Sequence, residues 1–112
     1  GTGVRDYIHV MDLAKGHVKA IQAIENNLTG VQAINLGTGN GQSVLQLVKA
    51  FEKENQVQIL FDIVDRRPGD VAACYANADK AKQVLGWQAE LGVNKMVKDS
   101  WHWQSQNPNG YE

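Results

Sequence analysis

Five consecutive residues, Arg66-Arg67-Pro68-Gly69-Asp70, place two guanidinium groups, a stiff bend and a carboxylate side by side. Arginine presents a planar fork of donors that grips phosphate oxygens two at a time. Pro68 fixes one φ angle and Gly69 permits the next to be positive, so the spacing predicts a tight turn. Asp70 cannot bind phosphate, but it accepts hydrogen bonds from hydroxyls such as those of a ribose. The set suits a sugar nucleotide, with phosphates on the arginines and sugar hydroxyls on Asp70. A solvated loop closed by a surface ion pair would use the same residue types. Side-chain chemistry alone leaves both readings open.

A second polar set opens the chain. From Val4 the residues alternate, with Arg5, Tyr7 and His9 on one face and Val4, Asp6 and Ile8 on the other. A strand there would line a site with a guanidinium, a phenol and an imidazole, or would be an edge strand with a polar outer face. Gly37-Thr38-Gly39-Asn40-Gly41 lies between an apolar run and a helical pattern, where a dinucleotide loop would sit. Its third glycine comes one residue too early for that fingerprint, and no acidic residue clearly ends a following strand. It reads as a strand-to-helix turn. Cys74 has no proton-accepting partner near it in sequence, so a nucleophilic role has little support.

These residues need elements to hold them. Val10, Leu13, Ala14, Val18, Ile21 and Ile24 recur at helical spacing, which predicts a helix starting near Asp12 and ending at Asn26-Asn27. His17 beside that stripe reads as a packed or capping histidine. Ala33 to Leu36 is short and apolar and reads as a buried strand. Ser43 with Gln46 three residues on forms a capping box for a helix whose apolar face is Val44, Leu47, Val48 and Phe51. Val57, Ile59, Phe61 and Ile63 alternate with Gln58, Leu60 and Asp62, which predicts a strand leading into the arginine loop. Asn77-Ala78-Asp79 starts a short helix stopped by Gly86, with Trp87 packing just beyond. A last helix from Gly92 to about Gln104 carries Val93, Met96, Val97 and Trp101 on one face. Trp103 lies about 200° round from Trp101. Gly1 and Gly3 read as a loose lead-in. The fold class expected is α/β, with a few short strands and about four helices.

The chain has 112 residues, a formal net charge of -1 and 43% hydrophobic residues. That length suits a single domain over residues 1–112. Near-zero charge argues against nucleic acid as a partner. No apolar run approaches a membrane span, and the opening residues show no signal-peptide pattern. One cysteine fits a reducing compartment, and the expected location is the cytoplasm. The start at Gly1, on the approach to a strand, reads as the C-terminal part of something longer.

Arg5 to His17 (RDYIHVMDLAKGH), Asn35 to Val48 (NLGTGNGQSVLQLV), Arg66 to Asn77 (RRPGDVAACYAN), Lys80 to Trp87 (KAKQVLGW) and Trp101 to Tyr111 (WHWQSQNPNGY) occur in this order and spacing. Together they resemble the C-terminal part of the UDP-glucose 4-epimerases, also called UDP-galactose 4-epimerases. The first two segments are similar to other extended short-chain dehydrogenase/reductases. The arginine loop and the Trp-x-Trp-Gln tail are more specific to the epimerases.

The resemblance implies an enzyme that oxidises a UDP-sugar at C4 with a tightly held NAD, lets the 4-keto sugar rotate and returns hydride to the other face. It implies a homodimeric parent whose N-terminal Rossmann half holds NAD and a Tyr-x-x-x-Lys pair. The part seen here would bind the UDP-sugar and pack against that half. Carried over by position, Arg5 and Arg67 would contact the diphosphate and Tyr7 the nucleotide. Asp70 would accept from the ribose hydroxyls, and the backbone of Pro68 and Gly69 would line the pocket. Cys74 would sit beside the hexose, where a small side chain leaves room for an N-acetyl group, so UDP-N-acetylglucosamine is an expected second substrate. Tyr7 and Tyr75 have no lysine four residues on, and the 112 residues contain no Rossmann fingerprint. The chain alone is therefore expected to be inactive. The rival readings are another nucleotide-sugar-modifying reductase, such as a dehydratase or decarboxylase, and a packing or interaction module without a ligand.

Overall fold

Val4–Arg5 (β1) is the central strand of a three-stranded sheet, with Gln42–Ser43 (β2) antiparallel on one side and Ala73–Cys74 (β3) parallel on the other. The register sets Val4 against Ser43 and Ala73, and Arg5 against Gln42 and Cys74. Four helices accompany the sheet: Val10–Glu25 (α1), Val44–Asn55 (α2), Asp79–Leu85 (α3) and Val93–Gln106 (α4). The structure, a computed structural model, describes residues 2–111. Gly1, read as part of the lead-in, lies outside the described residues. The α/β class and the four helices match the expectation.

The helix ends follow their local chemistry. Ser43 Oγ accepts from the Gln46 amide at 3.0 Å while Gln46 Oε1 accepts from the Ser43 amide at 2.7 Å, closing the expected capping box on α2. Gly86 ends α3 in the left-handed region at φ 67°, and Asn26 caps the end of α1 as expected. His9 caps the start of α1, its Nδ1 accepting from the Met11 amide at 3.0 Å.

The core gathers on the face of α1 opposite its apolar stripe. Asp12 and Gly16 are buried there, and Ala20 and Ala23 pack beside Ala81, Leu85 and Trp87. Trp87 packs beyond α3 as expected, its Nε1 donating to the Asp12 carbonyl at 2.9 Å. A Cβ on Gly16 would lie 2.7 Å from Leu36 Cδ1, so glycine lets that leucine close on the helix. Across the molecule α2 lies on α4. Phe51 meets Trp101 edge-on with centroids 5.8 Å apart, and Asn55 Nδ2 donates to the Val97 carbonyl at 3.1 Å. Trp103, on another face, meets Tyr111 instead.

Five expectations need correction. The first strand pairs only over Val4–Arg5, because His9 leaves the line to cap α1. Arg5, Tyr7 and His9 therefore do not share one strand face. The stripe of α1 is not core: Val10, Val18, Ile21 and Ile24 are all more than half exposed, with Ile21 at 58%. Residues 33–36 form no strand. Among the described residues no strand pairs with them, and the Ala33 carbonyl accepts from Lys80 Nζ at 3.0 Å instead. Residues 57–63 form no strand either. The Val57 amide turns back to the Glu52 carbonyl and the Ile59 amide to the Glu52 carboxylate, so this segment hangs on the end of α2. His17 is neither packed nor capping an end; it is exposed and bonds within its own helix to the Leu13 carbonyl.

Candidate functional site

The expected turn forms. The Asp70 amide donates to the Arg67 carbonyl at 3.2 Å, and Gly69 has φ 87°, which a residue with a Cβ rarely adopts. Arg67 and Asp70 pair across it, Nε donating to Oδ2 at 3.0 Å and one Nη to Oδ1 at 3.3 Å. The Arg67 side chain stays 84% exposed. Two of its five N–H donors hold Asp70, and the other three remain available to an anion.

The turn runs into β3, whose start is tied to β1 by the Val4 amide donating to the Ala72 carbonyl at 2.9 Å. The parallel register then sets Cys74 beside Arg5. Cys74 is a free, exposed thiol. Arg5 Nη1 donates back to the Val4 carbonyl at 2.8 Å, which folds the guanidinium over its own strand. Of the residues singled out from sequence, the fold therefore brings Arg5 and Cys74 together on adjacent strands. It holds Arg67, Pro68, Gly69 and Asp70 together in one turn just before β3. Tyr7 goes elsewhere, to a cleft of about 310 Å³ shared with Thr38, Gln42, Gln88 and Gly92.

Asp6 is the residue that sequence reading passed over. Its half-buried carboxylate accepts from the Thr38 amide at 3.0 Å, the Thr38 hydroxyl at 2.6 Å, the Gly39 amide at 2.9 Å and the Ala76 amide at 3.2 Å. Burial pushes its pKa up, but the Thr38, Gly39 and Ala76 hydrogen bonds outweigh burial and hold it below the ordinary 3.8. The available signal was a carboxylate between two site residues, in a chain that also carries a Gly-Thr-Gly turn. A second carboxylate, Asp99, is held below 3.8 by the His9 ring at 2.7 Å and then by the Lys95 ammonium at 3.1 Å.

The same contacts decide what the glycine-rich turn does. Its Thr38 and Gly39 amides point at Asp6, and a pyrophosphate there would meet a carboxylate already holding those donors. The turn does not fit NAD, and no other described loop carries the glycine spacing that a dinucleotide needs. No described helix is long and apolar enough to cross a membrane.

The fold is a short-stranded α/β unit with an arginine turn leading into its sheet. The chain matches the family profile described as GDP-mannose 4,6 dehydratase over residues 1–100, and it belongs to that family. Its similarities point further, to the UDP-glucose 4-epimerases. It is 61% identical over 112 residues to that enzyme of Drosophila melanogaster, covering 99% of this chain and 32% of the relative. It is 58% identical over 112 residues to that of Bacillus subtilis, covering 100% and 33%. The UDP-glucose 4-epimerase of Bifidobacterium longum, solved with NAD+ and UDP, superposes with a TM-score of 0.92 at 56% identity, over 98% of this chain and 32% of that one. The chain spans about a third of the length of the curated relatives it matches.

Proposed function

We propose that this chain is the nucleotide-sugar-holding part of an NAD-dependent UDP-glucose 4-epimerase. The observation that carries the reading is its likeness, at 0.92 and 56% identity, to an epimerase solved with UDP. The local geometry supports it. The Arg67–Asp70 pair keeps three guanidinium donors free for a diphosphate, and Asp70, fixed by the same pair, has lone pairs left for ribose hydroxyls. Arg5 on the neighbouring strand supplies a second cation, and Cys74 beside it leaves room next to the hexose. NAD, when bound by chain outside these residues, supplies the hydride chemistry. The residues here bind and orient the substrate.

The exposed face of α1 supports the same reading. Val10, Val18, Ile21 and Ile24 form an apolar stripe on one side of a helix whose other side is already packed. A stripe of that kind is covered when a further layer packs on it. The relatives are three times as long as this chain, and we assign that layer to their remaining two thirds.

The test is a chimera in which these 112 residues replace the matching third of the Bacillus subtilis epimerase. It is expected to interconvert UDP-galactose and UDP-glucose. A folded chimera that binds NAD but neither binds UDP nor turns over UDP-galactose would overturn the proposal.

A further inference from the structure

We propose that Asp6 is a positioning residue for nucleoside-diphosphate binding: its carboxylate clamps three chain segments together and so fixes Arg5 relative to Cys74. The inference rests on the proposed function, which places those two residues at the ligand.

The clamp has unusual reach for one side chain. It collects donors from the Gly37–Gly39 turn and from Ala76, which follows β3 by two residues. It thereby ties the exits of β1 and β3 to each other and to the loop before β2. The strands themselves cannot do this well. Each is two residues long, and a ladder that short supplies few hydrogen bonds to resist sliding or fraying. The side-chain clamp fixes what the ladder leaves loose.

Packing closes around the same point. A Cβ on Gly37 would lie 2.6 Å from Ala76 Cβ and 2.7 Å from Asp6 Oδ2, so the loop presses onto the clamp with no room for a side chain. Covalent adjacency carries the effect to the site. Arg5 is the preceding residue, with its Cα paired to Cys74, and Tyr7 is the next. A rotation of the backbone at Asp6 turns both neighbours. The chemistry also requires a carboxylate. Three of the four partners are backbone N–H groups that can only donate, and the Thr38 amide reaches both oxygens, so an amide of the same shape would aim its NH2 group at an N–H whichever way it turned.

A double-mutant cycle separates positioning from general fold support, because residues that act through one another are non-additive. UDP affinity is measured by titration calorimetry on the Bacillus subtilis chimera in four forms: native, Asp6→Asn, Arg5→Ala and the double variant. Positioning predicts that Asp6→Asn weakens UDP about tenfold in the native background and less than about twofold once Arg5 is alanine. Equal fold-changes in both backgrounds, or no change in the native background, would overturn the inference. An Arg5→Ala variant that binds UDP like the native chimera would remove Arg5 from the site, and the functional reading of that residue would fall first. Thr38→Val removes the hydroxyl donor at 2.6 Å, together with that hydroxyl's contacts to Asn40, and leaves the backbone bonds to Asp6. It is expected to show the same background dependence at about threefold, which keeps the test decisive should Asp6→Asn not fold.

Discussion

Arg67 and Asp70 grip each other in parallel across the Pro68-Gly69 bend, Nε to Oδ2 at 3.0 Å and Nη to Oδ1 at 3.3 Å. An ion pair this exposed contributes little to folding, because water and salt screen it. Arg67→Ala is therefore expected to cost less than about 0.5 kcal/mol of stability. Urea denaturation checks this, and a loss above about 2 kcal/mol would mean the turn holds the fold rather than a ligand.

Gly37 is expected to tolerate nothing larger. An added methyl would meet Ala76 Cβ at 2.6 Å and Asp6 Oδ2 at 2.7 Å, neither of them the end of a long flexible side chain. Gly37→Ala should destabilise by about 2–3 kcal/mol through overpacking. Gly92→Ala is the control for space, since its Cβ would meet nothing within 4 Å; because Gly92 caps the start of α4, that change should cost about 0.5–1 kcal/mol, from the cap alone.

Acid should loosen the molecule through Asp6 and Asp99. Both carboxyls sit below their ordinary 3.8 in the folded chain, Asp6 because the Thr38, Gly39 and Ala76 donors outweigh its burial, Asp99 because of His9 and then Lys95. A depressed folded pKa stabilises fully above the unfolded value. That contribution is lost as pH falls below 3.8 through the folded values. Denaturation midpoints taken between about pH 6 and about pH 2 should fall for the native chain and fall less for Asp6→Asn. Parallel curves would show that Asp6 carries none of the acid sensitivity.

Cys74 is exposed and stands beside Arg5 on the next strand. On the proposed function this position lies beside the hexose, where a cysteine would leave space for an N-acetyl group and a tyrosine would fill it. In the chimera, native Cys74 should allow turnover of UDP-N-acetylglucosamine. Cys74→Tyr should lower that rate by at least about tenfold, about 1.4 kcal/mol or more of steric cost, while sparing UDP-glucose. Equal rates for the two sugars in both forms would contradict the assignment.

Local chemistry was the part of this fold that could be read from sequence. Ser43 and Gln46 cap α2, Gly86 stops α3 and Gly69 takes a positive φ, because each depends on residues within one turn of chain. Pairing across the fold was not legible. The alternation from Val57 to Ile63 and the apolar run from Ala33 to Leu36 both meet strand criteria, yet among the described residues neither has a partner strand. The stripe on α1 follows helical spacing faithfully but faces away from the core, since periodicity reveals a face and not what covers it. Asp6 escaped for a related reason: its four donors come from Thr38, Gly39 and Ala76, far along the chain.

The most direct measurement of the central claim is UDP affinity, by titration calorimetry, of the native and Arg67→Ala chimeras with their melting temperatures recorded in parallel. The account predicts that Arg67→Ala weakens UDP by about tenfold or more, the worth of a charge-assisted phosphate contact, while the melting temperature stays put. A native chimera that binds UDP while Arg67→Ala binds it equally well would contradict the account, because the turn would then be only a solvated loop closed by its own ion pair.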